Sequence, residues 1–172
     1  MGSVTVTRSN PNALIDTLKT LTPGAVKIGW FPSARYDDEE KTPVAAVAAQ
    51  NEYGNPSKRV PPRPFIRPAI ALNENKWKDI GRRGLKAVLA KKSTTTAVLQ
   101  LLGITAVGDI QASISRVYSP PLKKSTIDAR LERQKATGGR RLTKNQAIGI
   151  TKPLVDTGEM RATVGYEIEG GK

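Results

Sequence analysis

Neither cysteine nor histidine occurs anywhere in this 172-residue chain. Without thiols there are no disulfides and no thiolate ligands, and without imidazole the commonest transition-metal ligand is missing. Ser–His and Cys–His nucleophile pairs are excluded, and so is the usual general base near neutral pH. Any catalysis would rest on carboxylates, lysine or tyrosine, and no enzyme, metal or cofactor is expected. The absence of cysteine fits synthesis in a reducing cytoplasm. Large aromatic anchors are scarce, with two Trp, two Phe and four Tyr. That predicts a modest core with poorly packed stretches, or one completed by neighbouring subunits. It also argues against stacking platforms for single-stranded nucleic acid. Long apolar runs are missing as well. The most apolar stretch, residues 97–112, is interrupted by Gln100, Gly103, Gly108 and Asp109, short of the roughly 20 residues of a membrane span. The N-terminus shows neither a basic segment nor an apolar run of signal-peptide length. The expectation is a soluble chain with no membrane partner.

What the chain has is positive charge, unevenly placed. The formal net charge is +13. Residues 1–57 carry a net of −1, residues 58–92 a net of +9 and residues 116–152 a net of +8. The acidic run Asp37-Asp38-Glu39-Glu40 stands alone in the neutral first third. Two basic segments of this kind raise encounter rates with polyanions and acidic protein faces. Each phosphate contact would add salt-dependent affinity without reading sequence. Solvated helix faces explain the same charges without any ligand.

Length suits one domain spanning residues 1–172. Turn and periodicity signals predict an α+β fold, with a small, mainly antiparallel sheet packed against helices and with extended loops. Val4-Thr5-Val6-Thr7 reads as a strand, and Asn10-Pro11 opens an amphipathic helix over residues 10–21. Alternation of Val26, Ile28 and Trp30 predicts a strand over 25–31. Thr42-Pro43 opens a helix whose face is read as Val44, Val47, Ala48 and Tyr53, stopped by Gly54-Asn55-Pro56. Residues 56–68 form a basic, proline-rich, extended arm, stiffened because proline fixes φ and removes donors. Long helices are expected from Pro68 to about Ser93 and over 94–117, where Gly103 and Gly108 would permit close approach or a kink. Tyr118-Ser119-Pro120-Pro121 breaks the pattern. A charged helix over 123–134, a flexible loop at 135–151, a turn at 153–160 and a closing strand over 161–169 complete the chain.

The stretch Leu154-Val155-Asp156-Thr157-Gly158 matches the signature of retroviral-type aspartic proteases, in which two aspartates share a proton. Such an enzyme needs a flap and a second β-layer after the aspartate, and sixteen residues follow Asp156. The simpler expectation is that Asp156 caps a turn for which Gly158 supplies backbone freedom. The four consecutive carboxylates at 37–40 lack the spaced ligands of a calcium loop. They read as a solvated loop or a patch meeting a basic neighbour. Gly81, Gly84 and Gly138-Gly139 match no phosphate-binding fingerprint.

Taken in order, the motifs form a pattern: Lys27-Ile28-Gly29-Trp30-Phe31, then Tyr53-Gly54-Asn55 and Pro61-Pro62-Arg63-Pro64-Phe65-Ile66-Arg67-Pro68. Pro120-Pro121-Leu122 with Thr126 and Arg130 follow, then Lys152-Pro153-Leu154-Val155-Asp156-Thr157-Gly158-Glu159-Met160-Arg161. This layout, covering residues 25–168, resembles tailed-bacteriophage neck and tail-completion proteins, a virion morphogenesis group. The resemblance implies a structural subunit, six copies to a ring, between the head connector and the tail terminator or tube. Such a protein is made in the host cytoplasm and resides in the virion, with transient contact to genomic DNA. The implied interface or channel residues are Arg59, Pro61, Pro62, Arg63, Phe65 and Arg67 in the arm. Lys123 and Lys124 join them, as do Arg140 and Arg141 in the loop. The alternative carried by charge alone is a free, non-specific nucleic-acid-binding protein.

Overall fold

The computed structural model of the chain describes Ile15, residues 24–136 and residues 150–170. The strand expected at 4–7 and most of the helix at 10–21 lie outside the described residues. So do residues 137–149, with Arg140 and Arg141. Strand β1 (Gly24–Gly29) pairs antiparallel with the closing strand β2 (Gly165–Gly170). Between them come α1 (Val44–Tyr53), α2 (Ile66–Leu89), α3 (Thr95–Arg116), α4 (Lys124–Ala136) and the single turn α5 (Glu159–Ala162). The fold is α+β, with helices around a two-stranded antiparallel sheet, as the alternating and helical periods predict.

Register follows from the period of two. Val26 stands opposite Ile168 and Ile28 opposite Tyr166, so one face is apolar. On the other face Lys27 Nζ lies 2.6 Å from Glu169 Oε1. The apolar face rests on α3, where Gly103 lets the ring of Tyr166 lie directly on the helix. Thr94 starts α3 by accepting the Ala97 N–H at 3.1 Å. Helices α2 and α3 form an antiparallel hairpin. Trp77 Nε1 donates to Asp109 Oδ2 at 2.7 Å, Lys76 pairs with the same carboxylate, and Gly84 sits against Val98. No described residue between 70 and 102 is buried, so the outer half of the hairpin is helix on helix alone.

The core gathers at the hairpin's other end. Val44 and Ala48 of α1, Phe65, Ala69 of α2, Ile110 and Ile114 of α3, Leu154, Met160 and Val164 make one buried cluster. Phe65 is fully buried in it, and its ring meets that of Trp30 edge to face with the centroids 5.8 Å apart. The Trp30 indole N–H donates to the Met160 carbonyl at 2.8 Å, tying the end of β1 to α5.

The helix glycines separate into two kinds. A Cβ on Gly103 would fall 2.5 Å from the Tyr166 ring, and one on Gly84 would overlap Val98, whereas Gly81 and Gly108 face open space. Gly103→Ala is therefore expected to destabilise by about 1–3 kcal/mol through overpacking. Gly108→Ala should stabilise by about 0.5–1 kcal/mol through helix propensity. Urea unfolding of the two variants checks this, and equal effects would refute it.

Helix α3 is long and apolar enough, by length and composition, to cross a membrane. Its interruptions by Gly103 and Asp109 are contacts with the sheet and with α2. Its third side is bare: Leu101 is 56% and Ile104 60% exposed.

Candidate functional site

Among the described residues three charged side chains are buried, Glu52, Arg63 and Arg130, only 1%, 6% and 8% exposed. Each one gathers backbone groups from loops or helix ends. Helix α1 presents Val44, Ala48 and Glu52 on one buried face at steps of four residues. The Glu52 carboxylate accepts the N–H groups of Phe65, Ile66 and Arg67 at 2.7, 2.9 and 3.2 Å, and Arg67 Nε at 2.9 Å. The opening N–H groups of α2 are thus capped by a carboxylate from another helix. Burial pushes the Glu52 pKa up, and the hydrogen bonds from Phe65, Arg67 and Ile66 outweigh it, so the carboxyl titrates below its ordinary value.

Arg63 performs the converse task. Its backbone N–H donates to Asn51 O at 2.6 Å, its Nε to Pro120 O at 2.7 Å and its Nη2 to Pro121 O at 3.1 Å. Arg130 projects from the apolar side of α4, beside Ile127 and Leu131. Its Nη1 donates to the carbonyls of Ile150, Lys152 and Val155, and its Nη2 to Pro153 O, at 2.8–3.3 Å. Asp156 stands 3.4 Å from Arg130 Nε and 2.8 Å from Arg133 Nη2.

Around the two arginines lies a cleft of about 690 Å³. Its walls are α1 (Val47, Asn51), residues 58–63, the start of α4 and residues 153–160, with Tyr36, Asp37 and Asp38 at the rim. Burial, followed by the charges of Glu159, Asp156 and Asp38, raises the pKa of Tyr36. The lining thus carries both signs, with Asp37, Asp38, Asp156 and Glu159 alongside Lys58, Arg59, Lys123 and Arg133.

Of the residues singled out from sequence, Arg59, Pro61, Arg63 and Lys123 meet at this cleft. Arg59, Pro62 and Lys124 are exposed, and Arg67 lies outside the cleft, with its guanidinium 5.4 Å from the centre of the Tyr53 ring. Residues 56–68 do not form a free arm. Asn55 and Val60 close a turn, Gly54 at φ +78° lets Pro62 approach, and Arg63 and Phe65 are buried inside their own chain. The physical reason is Glu52, which draws the end of the segment inward and starts α2 at Ile66, two residues before Pro68. Tyr53, read as facing the core, is exposed. Residues 135–136 belong to α4, and 150–151 are helical.

Asp156 is not the cap of its turn. Thr157 Oγ1 accepts the Glu159 N–H at 3.2 Å, while Gly158, at φ +85°, supplies the expected freedom. The Asp156 carboxylate is engaged by two guanidinium groups, and no second carboxylate is placed to share its proton among the described residues. Nor do the described residues hold a grouping of three or more carboxylates fit for a metal ion. Asp37 is paired with Lys41, and Asp38 Oδ1 accepts the Thr42 N–H at 2.7 Å, which closes the acidic loop on itself.

The chain matches no protein-family model, no curated protein and no solved structure.

Proposed function

We propose that the chain is a structural subunit of a tailed-phage neck that completes the tail and joins it to the head, assembled as a ring around the DNA channel. The ordered motifs over residues 25–168 motivate the assignment, and their order has a physical sense. Glu52, Arg63 and Arg130 bring segments far apart in sequence into one knot. The observation that carries assembly is the bare side of α3. Ala97, Leu101, Ile104 and Gly108 follow the i, i+4, i+7, i+11 spacing of a helix-packing stripe. All four are exposed and none is charged, on a chain that is otherwise strongly cationic. Copies that repel one another elsewhere can meet there, and burying two large aliphatic side chains per copy favours contact.

Light scattering on the eluting protein tests this. The wild-type chain is expected to elute as an oligomer, and Leu101→Glu with Ile104→Glu as a folded monomer. Cryo-EM of purified necks tests the location, since particles lacking this chain in stoichiometric amount would sink the proposal.

A second reading draws on the outer face of α2, where Lys78, Arg82, Arg83 and Lys86 are exposed. A free DNA-binding protein would hold duplex DNA with about micromolar affinity or better at physiological salt and lose it steeply as salt rises. Glu74 and Asp79 pair with Lys78 and Arg82 along that face, which weakens its field.

A further inference from the structure

Two guanidinium groups are buried at the cleft with too little negative charge to balance them. Arg63 has no carboxylate within 4 Å among the described residues; its bonded partners are neutral carbonyls. Arg130 lies near enough for the Arg63 charge to act on it. Among the described residues its only carboxylate, Asp156, is shared with Arg133, and Arg130 Nε has no hydrogen-bond partner. An arginine does not shed its proton to relieve such a situation. Backbone carbonyls satisfy N–H groups without cancelling charge, and a buried ion without a counter-ion is costly.

We propose that the cleft is a docking site for an acidic peptide segment of an assembly partner, whose carboxylate enters between Arg63 and Arg130. The shape favours a peptide over a nucleic acid. The guanidinium groups are recessed, Arg63 6% and Arg130 8% exposed, in a cleft also lined by Pro61, Leu122 and Leu154, so a slender chain reaches them and the convex backbone of a duplex does not. Asp37, Asp38 and Glu159 also line the cleft and repel anions of either kind, so the preference for a peptide rests on the depth of the guanidinium groups. An extended peptide can lay one carboxylate inside and its neighbours against Lys58 and Lys123. A volume of about 690 Å³ accommodates a few residues. This inference stands on charge balance and does not depend on the neck assignment.

Fluorescence anisotropy of the full chain with fluorescein-labelled hexaglutamate tests it, with hexaglutamine as control and a short duplex DNA as competitor. Hexaglutamate is expected to bind and to raise the melting temperature, while hexaglutamine does neither. Lys58→Glu with Lys123→Glu, both exposed at the rim, should weaken binding about tenfold. Lys78→Glu with Arg82→Glu, outside the cleft, should leave it unchanged. Arg63→Gln should abolish the thermal shift; if that variant does not fold, the two lysine-bearing pairs still decide. Equal weakening by both pairs would show mere attraction to a cationic surface and overturn the proposal. Absence of binding would do the same. Displacement of hexaglutamate by DNA, with DNA binding lost in the Lys58/Lys123 pair, would assign the site to nucleic acid instead.

Discussion

Replacing Arg130 by methionine is expected to cost about 3 kcal/mol of stability, a large part of what a small domain has. Methionine approximates the aliphatic stem of the side chain and removes the guanidinium, so its desolvation penalty is relieved. The four carbonyls of Ile150, Lys152, Pro153 and Val155 nevertheless lose their donor together. Those near the buried Pro153 and Leu154 cannot all turn to water, and each one left unsatisfied costs about 1–3 kcal/mol. The loss of carbonyl partners therefore outweighs the relief. Asp156→Asn should cost less, about 1–2 kcal/mol: its pair with Arg133 is solvated and contributes little, while the carboxylate 3.4 Å from buried Arg130 is itself 40% exposed. Urea midpoints with unchanged m-values check both figures. Limited proteolysis gives a local readout, with early cleavage within residues 150–157 expected only in Arg130→Met. A loss at Asp156 as large as that at Arg130 would show that the ion pair, not the carbonyl cluster, holds the segment.

Glu52→Gln is expected to destabilise by about 2–3 kcal/mol at pH 7, for a different reason. The amide keeps the shape but presents an NH₂ group to donors that a carboxylate accepts from all sides. Its cost should depend on pH. The Glu52 carboxyl titrates below its ordinary value of 4.5 in the folded chain. Its stabilising contribution is therefore complete above that ordinary value and is lost as pH falls through the lower folded one. The difference between wild type and Glu52→Gln should be constant from pH 7 to about 5.5 and shrink towards pH 3. Denaturant titrations across that range check it, and a gap that widens on acidification would be incompatible with a depressed carboxyl.

These buried charges also mark where sequence reasoning reaches its limit. Period-two alternation locates both strands, and turn residues locate the helix ends to within a few residues. The placement of Glu52 was available from the same arithmetic, because steps of four from Val44 and Ala48 land on it rather than on Tyr53. Arg130 likewise shares an apolar face with Ile127 and Leu131. A charged residue in phase with a core stripe is the signal for a buried hydrogen-bonding role. Arg63 offers no such signal. It lies in a proline-rich segment without periodicity, and its partners, Pro120 and Pro121, are about sixty residues away. Proline stiffness predicted an extended arm, but residues 56–59 turn, with Arg59 at φ +53°, and a helix begins at Ile66; nor does stiffness say whether the segment faces outward or is pulled inward. Long-range polar contacts decided that.

The hairpin of α2 and α3 has a mechanical consequence. At its base it shares Phe65, Ala69, Ile110 and Ile114 with the core; towards its tip it holds together through partly covered contacts such as Gly84 with Val98. The molecule is therefore graded, firm at the knot and compliant at the far end, where opening costs less than global unfolding. A protein of this build behaves as a clamped beam. Parting of the two helices at the tip leaves the buried cluster at the root, and the sheet that rests on α3, in place.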